Sequence, residues 1–153
     1  MKKLLVNSVR GILSAFAMSD AIETQGFLVN IGNGDSPLTY TEVKEVKTFT
    51  AFDGAAAEID ITNLQSTAKE FIMGLQDNGN MSLDLNYLSA DPGQVLVRAA
   101  KASRVLQDWQ LTFSDATTAT FQGFVTTAPR SGGVDAAVET SFTIRITGAV
   151  VDA

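Results

Sequence analysis

The 153-residue chain contains no cysteine and no histidine. Without cysteine it can form no disulfide, no thiolate metal site and no thiol nucleophile. Without histidine it has no imidazole base, no Ser-His-Asp triad and no histidine-ligated metal. Only carboxylate, lysine or tyrosine chemistry is left. We therefore expect a protein that is not an enzyme and that needs no cofactor or metal.

The chain also lacks a long apolar run and an excess of positive charge. No stretch reaches 18 apolar residues, so no transmembrane helix and no membrane insertion are predicted. The 11 basic and 17 acidic residues give a net charge of −6, the wrong sign for a protein that grips phosphate backbones. The 45% hydrophobic and 18% charged content is typical of one soluble domain that buries a core.

Residues 1–23 are predicted to form a helical or extended arm ahead of a domain over residues 24–153. Apolar residues in the arm recur at the spacing of an amphipathic helix, namely Leu5, Val9, Ile12, Leu13 and Phe16. The two lysines and the apolar middle also resemble a signal peptide, although polar residues interrupt that middle. A start of the chain at Met18 is a third alternative.

From Gly26 onward the hydrophobic pattern alternates as in β-strands. Strands are predicted over 26–32, 39–49, 57–62, 81–88, 108–113, 119–125 and 140–148. A helix is predicted from Asp91, which can cap it with Pro92 at its first position, to about Arg104. Its predicted buried residues are Val95, Leu96, Ala99 and Ala102. The pattern indicates a mainly β fold: an antiparallel β-sandwich or barrel with one flanking α-helix and a long inter-strand loop.

The loop over residues 63–79 is long for a hairpin connection and unusually apolar. Thr67 and Glu70 match a capping box, which predicts a short helix ending near Leu75 with Phe71 and Ile72 on one side. An apolar loop and an apolar arm on a small acidic domain suggest burial by neighbouring copies.

Glu58 and Asp60 share one face of a predicted strand, and Asp84 and Asn86 share a face of the strand after the loop. If these strands pair, the side chains form a polar patch with three carboxylates. The patch could be a solvated sheet face, a calcium site or an acid/base pair. The last two possibilities leave open a monomeric ligand-binding β-barrel as an alternative.

Several segments, taken in order, resemble the tail tube proteins (major tail proteins) of long-tailed bacteriophages. They are EIDITNLQSTAKEFIMGLQDNGNMSLDLNYLSADPGQ, LQDWQLTFSD, TATFQGFVTTAP and ETSFTIRITG. The resemblance implies a tail-tube fold whose subunits form hexameric rings, stacked into a tube that conducts the genome during ejection. The tube of a contractile injection or secretion system, or of a gene transfer particle, is a related alternative.

The resemblance also implies roles for the candidate residues. The loop would contact neighbouring subunits or rings through Leu64, Lys69, Phe71, Ile72, Met73 and Leu75, and the N-terminal arm could bridge rings. The lumen candidates are Glu58, Asp60, Asp84 and Asn86. The implied partners are further copies of the chain, the tape measure, tail terminator and tail tip proteins, and passing double-stranded DNA. The implied location is the virion tail, with assembly in the host cytoplasm.

Overall fold

The computed structural model describes residues 24–153, so the predicted arm contacts Leu5, Val9, Ile12, Leu13 and Phe16 lie outside the described residues. The strands are β1 Leu28–Gly32, β2 Tyr40–Glu42, β3 Val46–Thr50, β4 Glu58–Asp60, β5 Phe71–Met73, β6 Asn80–Asn86, β7 Gln107–Thr112, β8 Thr118–Thr127, β9 Arg130–Ser131 and β10 Glu139–Asp152, with the helix α1 Pro92–Ser103 between β6 and β7.

Eight strands form one antiparallel sheet in the order β2-β1-β7-β8-β10-β6-β3, with β9 added beside β10. The sheet is strongly curled: the ring of Phe27, just before β1, stacks on that of Phe49 in β3, at the opposite edge of the sheet, with centroids 3.9 Å apart. We call this curled sheet together with α1 the body. β4 and β5 pair only with each other in a separate hairpin.

The inner face of the curled sheet forms the hydrophobic core. On β6, Met81, Leu83 and Leu85 are buried while Ser82 and Asp84 between them are exposed, as strand alternation requires. The same pattern buries Trp109 on β7, Phe121 on β8 and Phe142, Ile144 and Ile146 on β10. The predicted mainly β fold is confirmed.

The predicted start of α1 is confirmed. The Asp91 carboxylate accepts the Gln94 amide N–H at 2.9 Å, and Pro92 occupies the first turn. The buried face is not the predicted one: Val97 and Ala100 are buried, Leu96 is half-buried, and the other three predicted residues are exposed, namely Val95, Ala99 and Ala102.

The rotation of α1 is set by polar contacts that apolar periodicity does not show. The buried Gln94 side chain donates to the carbonyls of Lys44 at 3.2 Å and Asn86 at 3.0 Å. It also accepts the Leu88 N–H at 2.9 Å. Because these bonds satisfy a buried amide, they hold Gln94 toward the sheet and turn Val95 outward.

Candidate assembly surfaces

The predicted loop helix is wrong, since residues 57–74 form a two-stranded hairpin, which we call the ribbon. Glu58 pairs with Met73, Ile59 with Ile72 and Asp60 with Phe71.

Polar side chains at the tip of the ribbon explain the misassignment. The Glu70 N–H donates to the Thr62 hydroxyl at 3.0 Å, and the Ser66 hydroxyl donates to the Glu70 carboxylate at 3.1 Å. Asn63 accepts the Gln65 N–H at 2.9 Å. The short polar side chains that cap helices also close turns. Here they close the end of a hairpin.

The two faces of the ribbon differ in chemistry. Residues directly opposite each other in an antiparallel pair point to the same side. One side, the isoleucine face, therefore carries Ile59, Ile61 and Ile72. The other side, the acidic face, carries Glu58, Asp60, Phe71 and Met73. The predicted single stripe through Phe71 and Ile72 is therefore wrong, because neighbouring residues of a strand point to opposite sides.

The ribbon is exposed on both faces. Ile59, Phe71 and Ile72 each expose nearly half of their surface, and Leu64 and Leu75 are almost fully exposed. β4 and β5 pack chiefly on each other. An isolated two-stranded hairpin is at best marginally stable in water. The ribbon is thus an apolar element without adequate cover from the described part of its own chain.

The base of the ribbon is fastened to the body by carboxylates. Asp53 accepts the Asn80 N–H at 2.5 Å. Asp77 accepts the Gly79 N–H at 2.8 Å and the Arg145 guanidinium at 2.5 Å. The pKa of the Asp77 carboxyl lies below its usual value, chiefly because of the bond from the Gly79 N–H and next because of the bond from Arg145. Arg145 therefore has a carboxylate partner in its own chain.

Close backbone packing supports this base. A Cβ atom on Gly54 would overlap the backbone of Asp77 and Gly79. Gly79 has a φ of 68°, a conformation that favours glycine. The two chain segments that join the ribbon to the body, one at Gly54 and one at Gly79, are therefore too close together to admit a side chain between them.

The outward side of β3, β6, β8 and β10, which we call the outer face, is polar. Its residues include Thr48, Thr50, Ser82, Asp84, Gln122, Ser141, Thr143, Arg145 and Thr147. Asp84 accepts the Thr48 hydroxyl at 3.0 Å and also the Ser141 hydroxyl. Asn86, at the end of β6, donates to Glu45 at 3.0 Å. The sequence did not lead us to predict the hydroxyl side chains as site residues. The alternation in TSFTIRITG, which puts Ser141, Thr143 and Thr147 on one side of the strand, could have identified them.

The cations of the outer face are neutralised within the chain. Lys47 lies 2.5 Å from Glu139, and Arg145 lies 2.5 Å from Asp77. The outer face therefore presents mainly hydroxyls and amides, together with the Asp84 carboxylate and the exposed ring of Phe124, and its positive charges are already paired.

The predicted patch of Glu58, Asp60, Asp84 and Asn86 does not form. β4 pairs with β5 alone, whereas β6 pairs with β3 and β10. The structure therefore places Glu58 and Asp60 on the ribbon, and Asp84 on the outer face with Asn86 at the end of the same strand. Within residues 24–153, no group of three or more acidic side chains is arranged to hold a metal ion, and no helix is long and apolar enough to cross a membrane.

Several solved structures with a similar fold come from tail and tube assemblies. The tail of an empty gene transfer agent particle, computed with C6 symmetry, has a TM-score of 0.72 and 14% identity over 87% of this chain and 99% of that one. The SPP1 tail tube has a TM-score of 0.72 and 14% identity, covering 86% and 78%. The sheath–tube complex of the PVC extracellular contractile injection system has a TM-score of 0.65 and 13% identity, covering 92% and 97%. The chain therefore has the tail-tube fold.

The family model for lambda-like phage tail tube proteins matches residues 20–120, about two thirds of the chain. The chain belongs to this family, as the sequence motifs predicted. No curated protein matches it. It is accordingly a structural protein of the virion tail.

Proposed function

We propose that the chain forms hexameric rings that stack into a tail tube and conduct double-stranded DNA during ejection, with no catalytic role and no cofactor. The observation that carries the proposal is the ribbon. Within residues 24–153, Ile59, Phe71 and Ile72 keep nearly half of their surface exposed, and a neighbouring copy could cover it. The tubes of similar fold support the same arrangement.

The ribbon is proposed as the main contact between subunits. Both of its faces carry apolar side chains, so both faces gain by burial at roughly 25 cal/mol per Å² of apolar surface. The interface residues expected from the sequence remain the proposed contacts, although on two faces rather than one. They are Leu64, Lys69, Phe71, Ile72, Met73 and Leu75.

The outer face is proposed as the wall of the bore. Duplex DNA slides freely only past a wall that offers no free cation, since each phosphate contact by Lys or Arg adds salt-dependent affinity. The paired Lys47 and Arg145 and the exposed Asp84 meet that requirement. Six copies at −6 each give a ring of −36. Asp84 and Asn86 are therefore kept as lumen residues, whereas Glu58 and Asp60 are assigned to the ribbon.

The proposed partners follow from the place of a tube in a tail. A tape measure protein would occupy the bore before DNA, and terminator and tip proteins would close the two ends. Assembly would take place in the host cytoplasm. The tube of a gene transfer particle or of a contractile injection machine shares the fold, and the family match favours the phage tail.

A monomeric ligand-binding barrel is the alternative that the structure supports least. Its site required Glu58, Asp60 and Asp84 to lie side by side, and the strand pairing separates them. Depressions on the surface of residues 24–153 are partly open to solvent and are not enclosed cavities.

Introducing a charged side chain on either face of the ribbon tests whether the ribbon is the contact between subunits. Ile72→Asp and Phe71→Asp should each stop assembly, because a carboxylate would be buried without a partner. The subunit should still fold, since neither side chain is part of the core. Negative-stain microscopy and sedimentation velocity at high protein concentration give the readout, and circular dichroism checks the fold.

Val95→Asp is the matched control, because Val95 is an apolar side chain of similar exposure on α1. It should leave tubes intact. Tubes formed by both ribbon variants at the wild-type concentration would overturn the assignment of the ribbon. A wild-type chain that stays monomeric under all conditions of tail assembly would overturn the tube itself.

A further inference from the structure

Two guanidinium groups flank one tyrosine at the end of β6. The Arg130 guanidinium carbon lies 4.5 Å from the centroid of the Tyr87 ring, and that of Arg98 lies 5.1 Å from it. Arg98 also donates to the Tyr87 hydroxyl at 2.5 Å. Such cation–π contacts orient the guanidiniums but leave their charge uncompensated.

Neither arginine has a carboxylate partner among residues 24–153, whose two ion pairs involve other cations. The remaining bonds of Arg98 go to neutral oxygens, the carbonyls of Gln94 at 3.2 Å and Ser89 at 2.9 Å. In a chain with six more acidic than basic residues, two adjacent cations without an acid mark a surface suited to carboxylates.

Exposed apolar side chains lie on the chain segments next to Tyr87 and Arg130. The Tyr87 N–H donates to the Val138 carbonyl at 2.8 Å, which joins β6 to the segment before β10. Leu88 and Val138 each expose more than two fifths of their surface, and Val134 is almost fully exposed. We call this surface the basic end; its residues are Tyr87, Leu88, Arg98, Arg130, Val134 and Val138.

The ribbon and the basic end lie at opposite ends of the same strand. The chain enters β6 from the ribbon through Gly79, immediately before Asn80. Tyr87, in the basic end, immediately follows Asn86 at the other end of the strand. At about 3.4 Å per residue, the strand separates them by roughly 25 Å. In copies stacked end to end along the direction of β6, the ribbon of one copy would face the basic end of the next.

The acidic face of the ribbon has the complementary chemistry. Glu58 makes no ion pair or side-chain hydrogen bond with residues 24–153, and it shares its face with Asp60, Phe71 and Met73. Acidic and apolar groups on the ribbon thus match basic and apolar groups on the basic end.

We propose that the acidic face of one copy docks on the basic end of a copy in the next ring, with Glu58 of the ribbon paired to Arg130 of the basic end. This inference rests on the proposed function and adds the surface that receives the ribbon. An interface between two different surfaces of identical chains is heterologous, so it propagates instead of closing. It gives the stack a direction.

Charge reversal with rescue tests the pairing. Arg130→Glu and Glu58→Arg should each raise the critical concentration for tube assembly about tenfold or more, as measured couplings of close charge pairs across interfaces indicate. The double variant, with both charges exchanged in one chain, should return the critical concentration to near that of the wild type. Light scattering against protein concentration, with microscopy of the products, gives the readout.

Lys101→Glu is the matched control, since it makes the same charge change at an exposed position of α1. It should leave the critical concentration unchanged. Glu58→Arg keeps the test decisive even if Arg130→Glu disturbs the contact with Tyr87, because Glu58 lies on the exposed ribbon.

Either single variant assembling like the wild type, or a double variant no better than the singles, would overturn the pairing while leaving the tube function in place. A wild-type chain that never forms tubes would instead overturn the proposed function, and the pairing with it.

Discussion

The body and the ribbon use the same kinds of apolar side chain with opposite outcomes. Leu83 and Ile144 in the body expose none of their surface, while Ile59 and Ile72 in the ribbon expose nearly half of theirs. The body covers its apolar residues with its own strands and helix. This difference places the stability of the single subunit in the body, and under the proposed function it predicts that assembly depends on the ribbon.

The largest expected effect separates these two roles directly. Leu83→Ala should lower the free energy of unfolding of the unassembled subunit by about 2–5 kcal/mol, because it opens a cavity in the core. Ile72→Ala should change that free energy by less than about 0.5 kcal/mol while raising the critical concentration for assembly. Urea unfolding of the dilute protein, followed by light scattering at high concentration, measures both quantities.

The division between body and ribbon would fail if Ile72→Ala destabilised the dilute subunit as much as Leu83→Ala does. Such a result would show that the ribbon contributes to the core of its own subunit. Val95→Ala on the exposed side of α1 is the control, and we expect it to alter neither quantity.

A second, intermediate effect concerns the outer face of the body. Ser82 is exposed between Leu83 and Met81, so Ser82→Lys should change stability by less than about 0.5 kcal/mol and permit assembly. The tubes should then retain duplex DNA, with a binding constant whose logarithm falls with the logarithm of salt concentration by about 0.9 per phosphate contact. Wild-type tubes should retain none.

Nuclease protection distinguishes the bore from the outside of the tube. DNA held by Ser82→Lys tubes should resist digestion, whereas DNA held by Val95→Lys tubes, with the lysine on α1, should be digested. Unprotected DNA on the Ser82→Lys tubes would place the outer face on the exterior and refute the bore assignment.

The sequence predicts the body well and the ribbon poorly, for a physical reason. On β6, one side is buried and the other exposed, so alternation identifies both the strand and its inward residues. Asp91 and Pro92 identify the start of α1 because Asp is a preferred N-cap residue and Pro a preferred first helical residue. In the ribbon, alternation identifies β4 within the predicted strand 57–62, but β5 is apolar on both faces and shows no alternation.

The remaining errors come from contacts between distant parts of the chain. Thr67 and Glu70 satisfy the pattern of a helix cap, yet Glu70 bonds to Thr62 and Ser66 across a hairpin tip. The partner of β4 is β5 rather than β6, and no local pattern distinguishes the two. The basic end was missed because Tyr87 and Arg130 are 43 positions apart in the sequence and meet only through the pairing of β10 with β6 and β9.

The smallest expected effect lies where the ribbon joins the body. The pKa of the Asp77 carboxyl is lowered by the Gly79 N–H and then by Arg145, so its folded-state pKa is below its unfolded-state pKa. The bonds of the Asp77 carboxylate therefore contribute their full stabilisation above the unfolded-state pKa of about 3.9. This stabilisation is lost as the pH falls through the lower folded-state pKa. Acid should therefore loosen the base of the ribbon before it unfolds the body.

The Gly79 amide reports this loosening, because its N–H donates to Asp77. Between pH 6 and pH 2.5, its ¹⁵N–¹H signal in the unassembled subunit should titrate with a midpoint below about 3.9, while signals from Leu83 and Ile144 in the body should not follow it. Asp77→Asn keeps an oxygen that can accept the N–H but removes the ionisable group, so its Gly79 signal should lose the transition. A midpoint at or above the ordinary value, or one shared with the core amides, would show that the base of the ribbon and the body respond to acid as one unit.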